Sequence, residues 1–227
     1  MKRTLGLFLL AAAALNAGCH DDTSSGSGDG RLRIVNVSPD APNLALVLDG
    51  DTVVTDLAYL GSSDYLDVPA AGHVIQVADA TAGATLIDQD ITVADGIDYT
   101  VLVGDTLGAI KAFVLTDDNS TPPAGTIRVR AIQGAPTLGL VDIYVTEPGA
   151  DLTVTTPVAT QINFGQVLPY VTTNSGTYEI RVTTTGTKDV LIDGSFTVET
   201  SQVRTVIAVE AAGGGEPFSF LVLSDLD

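Results

Sequence analysis

The sequence predicts an all-β protein: two tandem immunoglobulin-like antiparallel β-sandwiches behind a signal peptide and a flexible leash. Three observations predict it. From residue 31 onward, short runs of Val, Ile, Leu, Thr and Tyr alternate with a two-residue period and are broken by Gly, Pro, Asp and Asn, the mark of half-buried strands. No stretch carries a sustained helical period. The alternating region also repeats itself at an offset of roughly 105 residues, too long for a solenoid unit and right for a domain.

The N-terminus comes first. Lys2 and Arg3 precede an apolar stretch over residues 5–15, followed by Asn16, Ala17, Gly18 and Cys19. The order is that of a charged region, an apolar region too short to span a bilayer, and a small-residue cleavage site. Residues 1–18 therefore read as a signal peptide. Cys19 is the one cysteine of the chain. An unpaired thiol is anomalous in an exported protein. Ala17-Gly18-Cys19 resembles the end of a bacterial lipoprotein signal, which usually carries Leu one step earlier, where Asn16 stands here. The resemblance implies a Cys19 bearing several acyl chains, a stable anchor. The alternative is an ordinary secretory signal that leaves a free N-terminal thiol. Residues 19–30 form the lipid-anchored linker. Its segment from His20 to Gly30 is polar and rich in Ser, Gly and Asp, a flexible coil reaching about 18 Å.

The first β-sandwich repeat covers residues 31–118. Leu32 and Ile34 alternate with Arg31 and Arg33, and Asp49-Gly50 between two apolar runs signals a hairpin. Residues 119–125 are the interdomain linker, within the stretch Asp117 to Gly125, which Pro122-Pro123 stiffens. The second repeat covers residues 126–227. Thr126-Ile-Arg-Val-Arg-Ala-Ile132 parallels Arg31-Leu-Arg-Ile-Val-Asn-Val37, Phe164-Gly165 parallels Leu60-Gly61, and Leu221-Val-Leu-Ser-Asp225 parallels Phe113-Val-Leu-Thr-Asp117. Each copy offers seven or eight short strands at sandwich spacing.

Charge narrows the function classes. The net charge of −18 becomes −20 once Lys2 and Arg3 leave with the signal. Such acidity argues against nucleic acid and against anionic lipid headgroups. With 45% hydrophobic residues the acidity is not disorder. Aromatics make up 5%, with no Trp, which counts against an aromatic sugar platform. One Cys and two His supply no zinc set, and no cofactor motif is present.

The turn Ser38-Pro39-Asp40-Ala41-Pro42, the strand Val141-Asp-Ile-Tyr-Val145, and the bridge Leu115-Thr-Asp-Asp118 leading into Thr126-Ile-Arg-Val-Arg130 together resemble the bacterial domain-of-unknown-function family 4397. The resemblance covers about residues 31 to 227. It implies an extracytoplasmic β-sandwich, secreted or lipid-anchored and often in tandem, and brings no activity and no site residues. The first copy has Ala45 and Val47 at the D-x-Y places. The second has Gln133-Gly134-Ala135-Pro136 in place of the turn. Neither copy holds both motifs, which favours structural roles for each.

The candidate sites are few. Asp40 reads as a turn acid accepting local N–H groups in an Asx-turn. Asp88, Asp90, Asp95 and Asp98 cluster in sequence, and Asp117 with Asp118 flank the linker. These six are the calcium candidates, because calcium takes several converging oxygens. The bland reading makes them solvated strand and linker acids. His73 reads as a strand-start histidine without a triad. Gly213-Gly214-Gly215 reads as a mobile hairpin loop, lacking the Lys-Ser/Thr of a phosphate loop. Arg31, Arg33, Arg128 and Arg130 read as outward strand residues paired with acids.

The expectation is a non-catalytic module of the cell envelope, with no cofactor. Its partners are the bilayer, through acylated Cys19, and an envelope or extracellular protein or glycan. The alternatives are a calcium-dependent adhesive or stalk-like module and a hydrolase of surface polymers. His20 follows Cys19 where enteric lipoproteins kept at the inner membrane carry Asp, which points to the outer membrane.

Overall fold

The computed structural model describes residues 28–226. The signal and Cys19 lie outside them. The first unit comprises β1 (Asp29–Asn36), β2 (Leu44–Leu48), β3 (Asp51–Leu57), β4 (Leu66–Pro69), β5 (Gly72–Asp79), β6 (Thr85–Thr92), β7 (Asp98–Gly104) and β8 (Lys111–Asp117). The second comprises β9 (Thr126–Gln133), β10 (Val141–Thr146), β11 (Ala159–Ile162), β12 (Val171–Asn174), β13 (Gly176–Thr184), β14 (Val190–Val198), β15 (Val203–Val209) and β16 (Ser219–Leu226). Two short 3-10 turns are the only helical segments among the described residues.

Each unit is a two-sheet sandwich. The first stacks β4-β1-β7-β8 on β3-β2-β5-β6; the second stacks β12-β9-β15-β16 on β11-β10-β13-β14. The expected antiparallel pairing holds except for one parallel pair per unit, β1 with β7 and β9 with β15. Asp49 and Gly50 both take positive φ, 51° and 94°, which the β2–β3 hairpin requires for its twist to match the strands.

Alternation builds the core of each unit. Leu32 and Ile34 of β1, Leu44 and Leu46 of β2, Ile75 and Val77 of β5, and Val101 and Val103 of β7 are all fully buried between the first two sheets. Val141, Ile143, Val182 and Ala208 are the buried counterparts in the second unit.

The sequence does not announce a third core. Val35, Val37 and Leu102 of the first unit pack with Ile132, Ile207, Val209 and Leu223 of the second. The sheets containing β1 and β9 thus face each other, and the molecule is a stack of four sheets. This corrects the picture of two separate bodies on a stiffened linker: each copy has its own core, and both share a seam. Burying one such side chain is worth about 1.5–3 kcal/mol. The seven buried seam residues therefore supply on the order of 10–20 kcal/mol before entropy costs, ample to hold two tethered units together. Strands buried on both faces read as continuous apolar runs, and β15 ends in one, from Val206 to Val209.

Candidate functional site: the seam and the second core

At the centre of the seam two arginines reach across in opposite directions. On β1, Arg33 is the register neighbour of Thr100 on β7; on β9, Arg130 is the neighbour of Thr205 on β15. Each arginine Nε donates to its neighbour's hydroxyl, at 2.9 Å and 2.8 Å. The Arg33 guanidinium then pairs with Asp225 of the second unit, and that of Arg130 pairs with Asp117 of the first. Thr100 donates to Asp117 and Thr205 to Asp225, both at 2.5 Å. Tyr65 and Tyr170 donate to the same two carboxylates, at 2.6 Å and 3.2 Å, and each ring lies 4.7 Å from an arginine, Tyr65 under Arg33 and Tyr170 under Arg130. The contact is isologous in the sense of a two-fold dimer, although one chain makes both halves.

All four charged side chains are buried. Buried charges must be paired and hydrogen-bonded, and these are. Burial disfavours the Arg33 cation, but the charge and hydrogen bond of Asp225, with Asp117 beside it, outweigh that and hold its pKa above the ordinary value. Burial first, and Asp117 second, push the Tyr65 hydroxyl up; burial and Asp225 do so for Tyr170. The hydroxyl protons of Thr100, Thr205, Tyr65 and Tyr170 all go to the two carboxylates. A polar crevice of about 400 Å³ beside it is lined by Arg33, Tyr65 and Asp225, which are among these paired groups.

The sequence-predicted residues fall as follows. Asp117 is not a linker solubiliser: it ends β8, is buried, and holds Arg130. Arg33 and Arg130 do point out of their own sandwiches, but the other unit covers them. Arg31 pairs with Asp98 at 2.5 Å and Arg128 with Asp118 at 2.8 Å. Asp98 also accepts from Asn119, and Asp88 accepts from Gln76. Asp90 and Asp95 are exposed. Among the described residues no three His, Cys, Asp or Glu side chains converge as a metal site.

The Ser38–Pro42 turn is a pin. Ser38 Oγ donates to the Asp105 carbonyl at 2.6 Å, and the Ser38 N–H donates to Asn36 Oδ1 at 3.1 Å. Asp40 accepts not from its own turn but from the Leu107 N–H, at 2.7 Å. The Pro39 carbonyl accepts from Gly213 N–H of the second unit at 2.7 Å. The glycine run is therefore fixed to the seam rather than left as a free hairpin tip, with Gly215 N–H on Glu210 at 2.9 Å. In the second copy Gln133 replaces Asn36 and accepts from Ala135 N–H. Asp142 is buried under N–H donors from Gly186 and Gln161 and the Thr185 hydroxyl; burial raises its pKa, but these donors win and lower it. Tyr144 accepts from Lys188 at 2.8 Å. His73 bridges Asp49 (2.6 Å) and the Pro69 carbonyl (2.7 Å), and the Asp49 bond is the main reason its pKa rises.

Sequence reasoning missed Tyr65, Tyr170, Thr100, Thr205 and Asp225. A signal existed: these residues recur in both copies, Thr100, Thr205 and Asp225 as polar positions within largely apolar strands, and Tyr65 and Tyr170 just ahead of β4 and β12.

The second unit differs from the first in its interior. Between its sheets lies an apolar cavity of about 580 Å³, lined from β9, β10 and β12 through β16. Register shows its origin. Leu32, Ile34, Leu44, Leu48, Val68 and Val103 of the first copy occupy the places of Val129, Ala131, Val141, Val145, Thr173 and Ala208 in the second. Every exchange but the last-but-one (Val for Thr) removes carbon outright, and that one trades a methyl for a hydroxyl. Volume returns at Ile127, which takes the place of Gly30, and at the other edge, where Phe196 and Phe220 replace Ile91 and Ala112. Those rings meet edge to face at 5.6 Å and close the β14–β16 edge. The opposite rim stays exposed at Val145, Val158 and Val171 (40%, 63% and 60%). Cavity formation costs about 24 cal/mol per Å³, so a dry, empty void of this size would cost on the order of 10 kcal/mol, a whole domain's stability.

No curated protein is similar in sequence. Among solved structures, a streptococcal virulence factor described by its α-glucan binding is 12% identical with a TM-score of 0.27, over 79% of this chain and 92% of that one. The Bacillus anthracis TIE protein is 13% identical with a TM-score of 0.28, over 80% of this chain and 34% of that one. A family CBM26 module of Eubacterium rectale Amy13K, solved with maltoheptaose, is 8% identical with a TM-score of 0.26, over 88% and 98%. Likeness at this level transfers neither ligand nor activity. The sequence itself is matched by one family model over residues 30–144 and again over 145–227, so that both copies are accounted for: the chain belongs to the family of the domain of unknown function DUF4397.

Proposed function

We propose that this chain is a non-catalytic structural and interaction module of the cell envelope, tethered by lipid on Cys19 and presenting its outer sheets and loops to an envelope or extracellular protein or glycan. The seam carries the reading. Its four buried charges serve to lock two copies into one body, and a locked body on a short leash suits display at a fixed distance from a membrane. The acidic surface supports solvation away from anionic headgroups. The outer membrane is the expected location.

Mass spectrometry of the mature N-terminus, coupled to capture from envelope extracts with the purified chain, tests both parts. The expected result is an acylated Cys19 and one envelope component that the chain enriches and that a matched acidic control protein does not. A free or absent Cys19 removes the tether. Capture of nothing removes the interaction role.

A further inference from the structure

We propose that the second unit holds a single acyl chain, the tail of a fatty acid, between its two sheets. The inference rests on the cavity and not on the tether, so it stands or falls apart from the function proposed above.

The cavity of about 580 Å³ lies within the roughly 300–1,000 Å³ of small-molecule sites. Stacked sheets sit about 10 Å apart, and a helix is about 10–12 Å wide with its side chains. A slot left by trimmed side chains between two sheets therefore admits a slender chain and excludes a helix. A strand would bring unpaired N–H and C=O groups into it.

The lining matches the two ends of such a ligand. Its deep part is Ala131, Val141, Val182 and Ala208, with nothing to hydrogen-bond a polar ligand. Near the exposed rim the lining turns polar. Thr173 and Tyr178 hydroxyls lie 3.3 Å apart. The Tyr178 hydroxyl also donates to the Asn174 carbonyl at 2.7 Å. Apolar depth with hydroxyls beside the rim is the pattern for a chain with a small polar head. The fold does not require the space. In the first copy the corresponding Leu32 and Ile34 are larger and fully buried.

The full chain carrying Cys19→Ser, stripped of lipid, is titrated with dansyl-undecanoic acid. Saturable one-to-one binding with blue-shifted emission is expected. Ala131→Ile with Ala208→Val approaches the first copy's interior, and should lower affinity about tenfold or more, the loss of a bound methylene or two. Its melting temperature should be unchanged or higher, so that lost binding is not lost folding. Val171→Asp, at the exposed rim, should also weaken binding in a folded chain. Absence of saturable binding, or equal binding by the filled variant, overturns the proposal. Lipidated chain separates two sources of the same chemistry. Weaker probe binding there assigns the site to the chain's own Cys19 acyl group; equal binding assigns it to free fatty acids.

Discussion

Asp117 and Asp225 each hold an arginine from the other copy, and each is buried. Removing one partner of a buried pair leaves an uncompensated charge, which costs about 3–5 kcal/mol. Asp117→Ala strands the Arg130 guanidinium against Thr205 and the Thr116 carbonyl. It should lower the melting temperature by roughly 10 °C, at about 2–4 °C per kcal/mol for a chain of this size. Adding Arg130→Met should restore part of that loss, because the charge leaves with its partner. Thermal denaturation of both variants checks it; an Asp117→Ala chain as stable as the parent contradicts the buried pairing. The tyrosines set a second expectation. Burial, with the charge of Glu210 behind it, raises Tyr59 from 10.0 to about 12, and Tyr65 and Tyr170 are raised as well. A group whose folded pKa lies above its unfolded one stabilises fully below the unfolded value and loses that contribution as pH rises through the folded one. Stability should therefore hold to about pH 10 and fall between pH 10 and 12, in step with phenolate absorbance. Tyr65→Phe should flatten part of that slope, and a melting temperature independent of pH across the window would contradict it.

At the scale of elements, much of the architecture is readable from pattern alone. Two-residue alternation locates β1, β9, β10 and β13, and Asp49-Gly50 fixes the first hairpin, because period and turn chemistry are local properties. The seam is not local. Arg33 between Leu32 and Ile34 reads as the solvent side of a half-buried strand, and so it would be if nothing covered that face. Only its companion residues betray the cover: Val35 and Val37 continue the same run, which β1 needs only if both faces are buried. The hollow second core is illegible for another reason. Val129, Ala131 and Ala208 are acceptable inward residues one at a time. The deficit emerges when they are added across two sheets, a sum that needs register. Asp40 misleads similarly, since its carboxylate accepts from the Leu107 N–H, 67 residues away, where an Asx-turn draws on the next few residues.

For the molecule as a whole, the seam behaves as an intramolecular version of a two-fold dimer. The first copy contributes Arg33, Tyr65, Thr100 and Asp117, and the second contributes Arg130, Tyr170, Thr205 and Asp225, type for type the same. An isologous surface is self-complementary. The first copy on its own, residues 28–118, therefore carries both halves of the arginine–aspartate network, with Arg33 placed to reach Asp117 of the partner subunit. It also bares Val35, Val37, Leu102, Phe113 and Leu115, an apolar patch that a soluble monomer seldom leaves open. The match is imperfect at one place. Val37 faces the close approach at Gly134, where an added Cβ would lie 3.6 Å from its methyl and 2.7 Å from Ile207. In a pair of first copies a second Val37 takes the place of that glycine, so the contact must open slightly. The isolated first copy should then form a homodimer weaker than the tethered seam, dissociating on dilution, and Arg33→Asp should abolish it by setting like charges against each other. Sedimentation velocity over a concentration series reads the outcome. A folded first copy that stays monomeric at every concentration would mean that the linker, and not the matching of the two faces, holds the halves together.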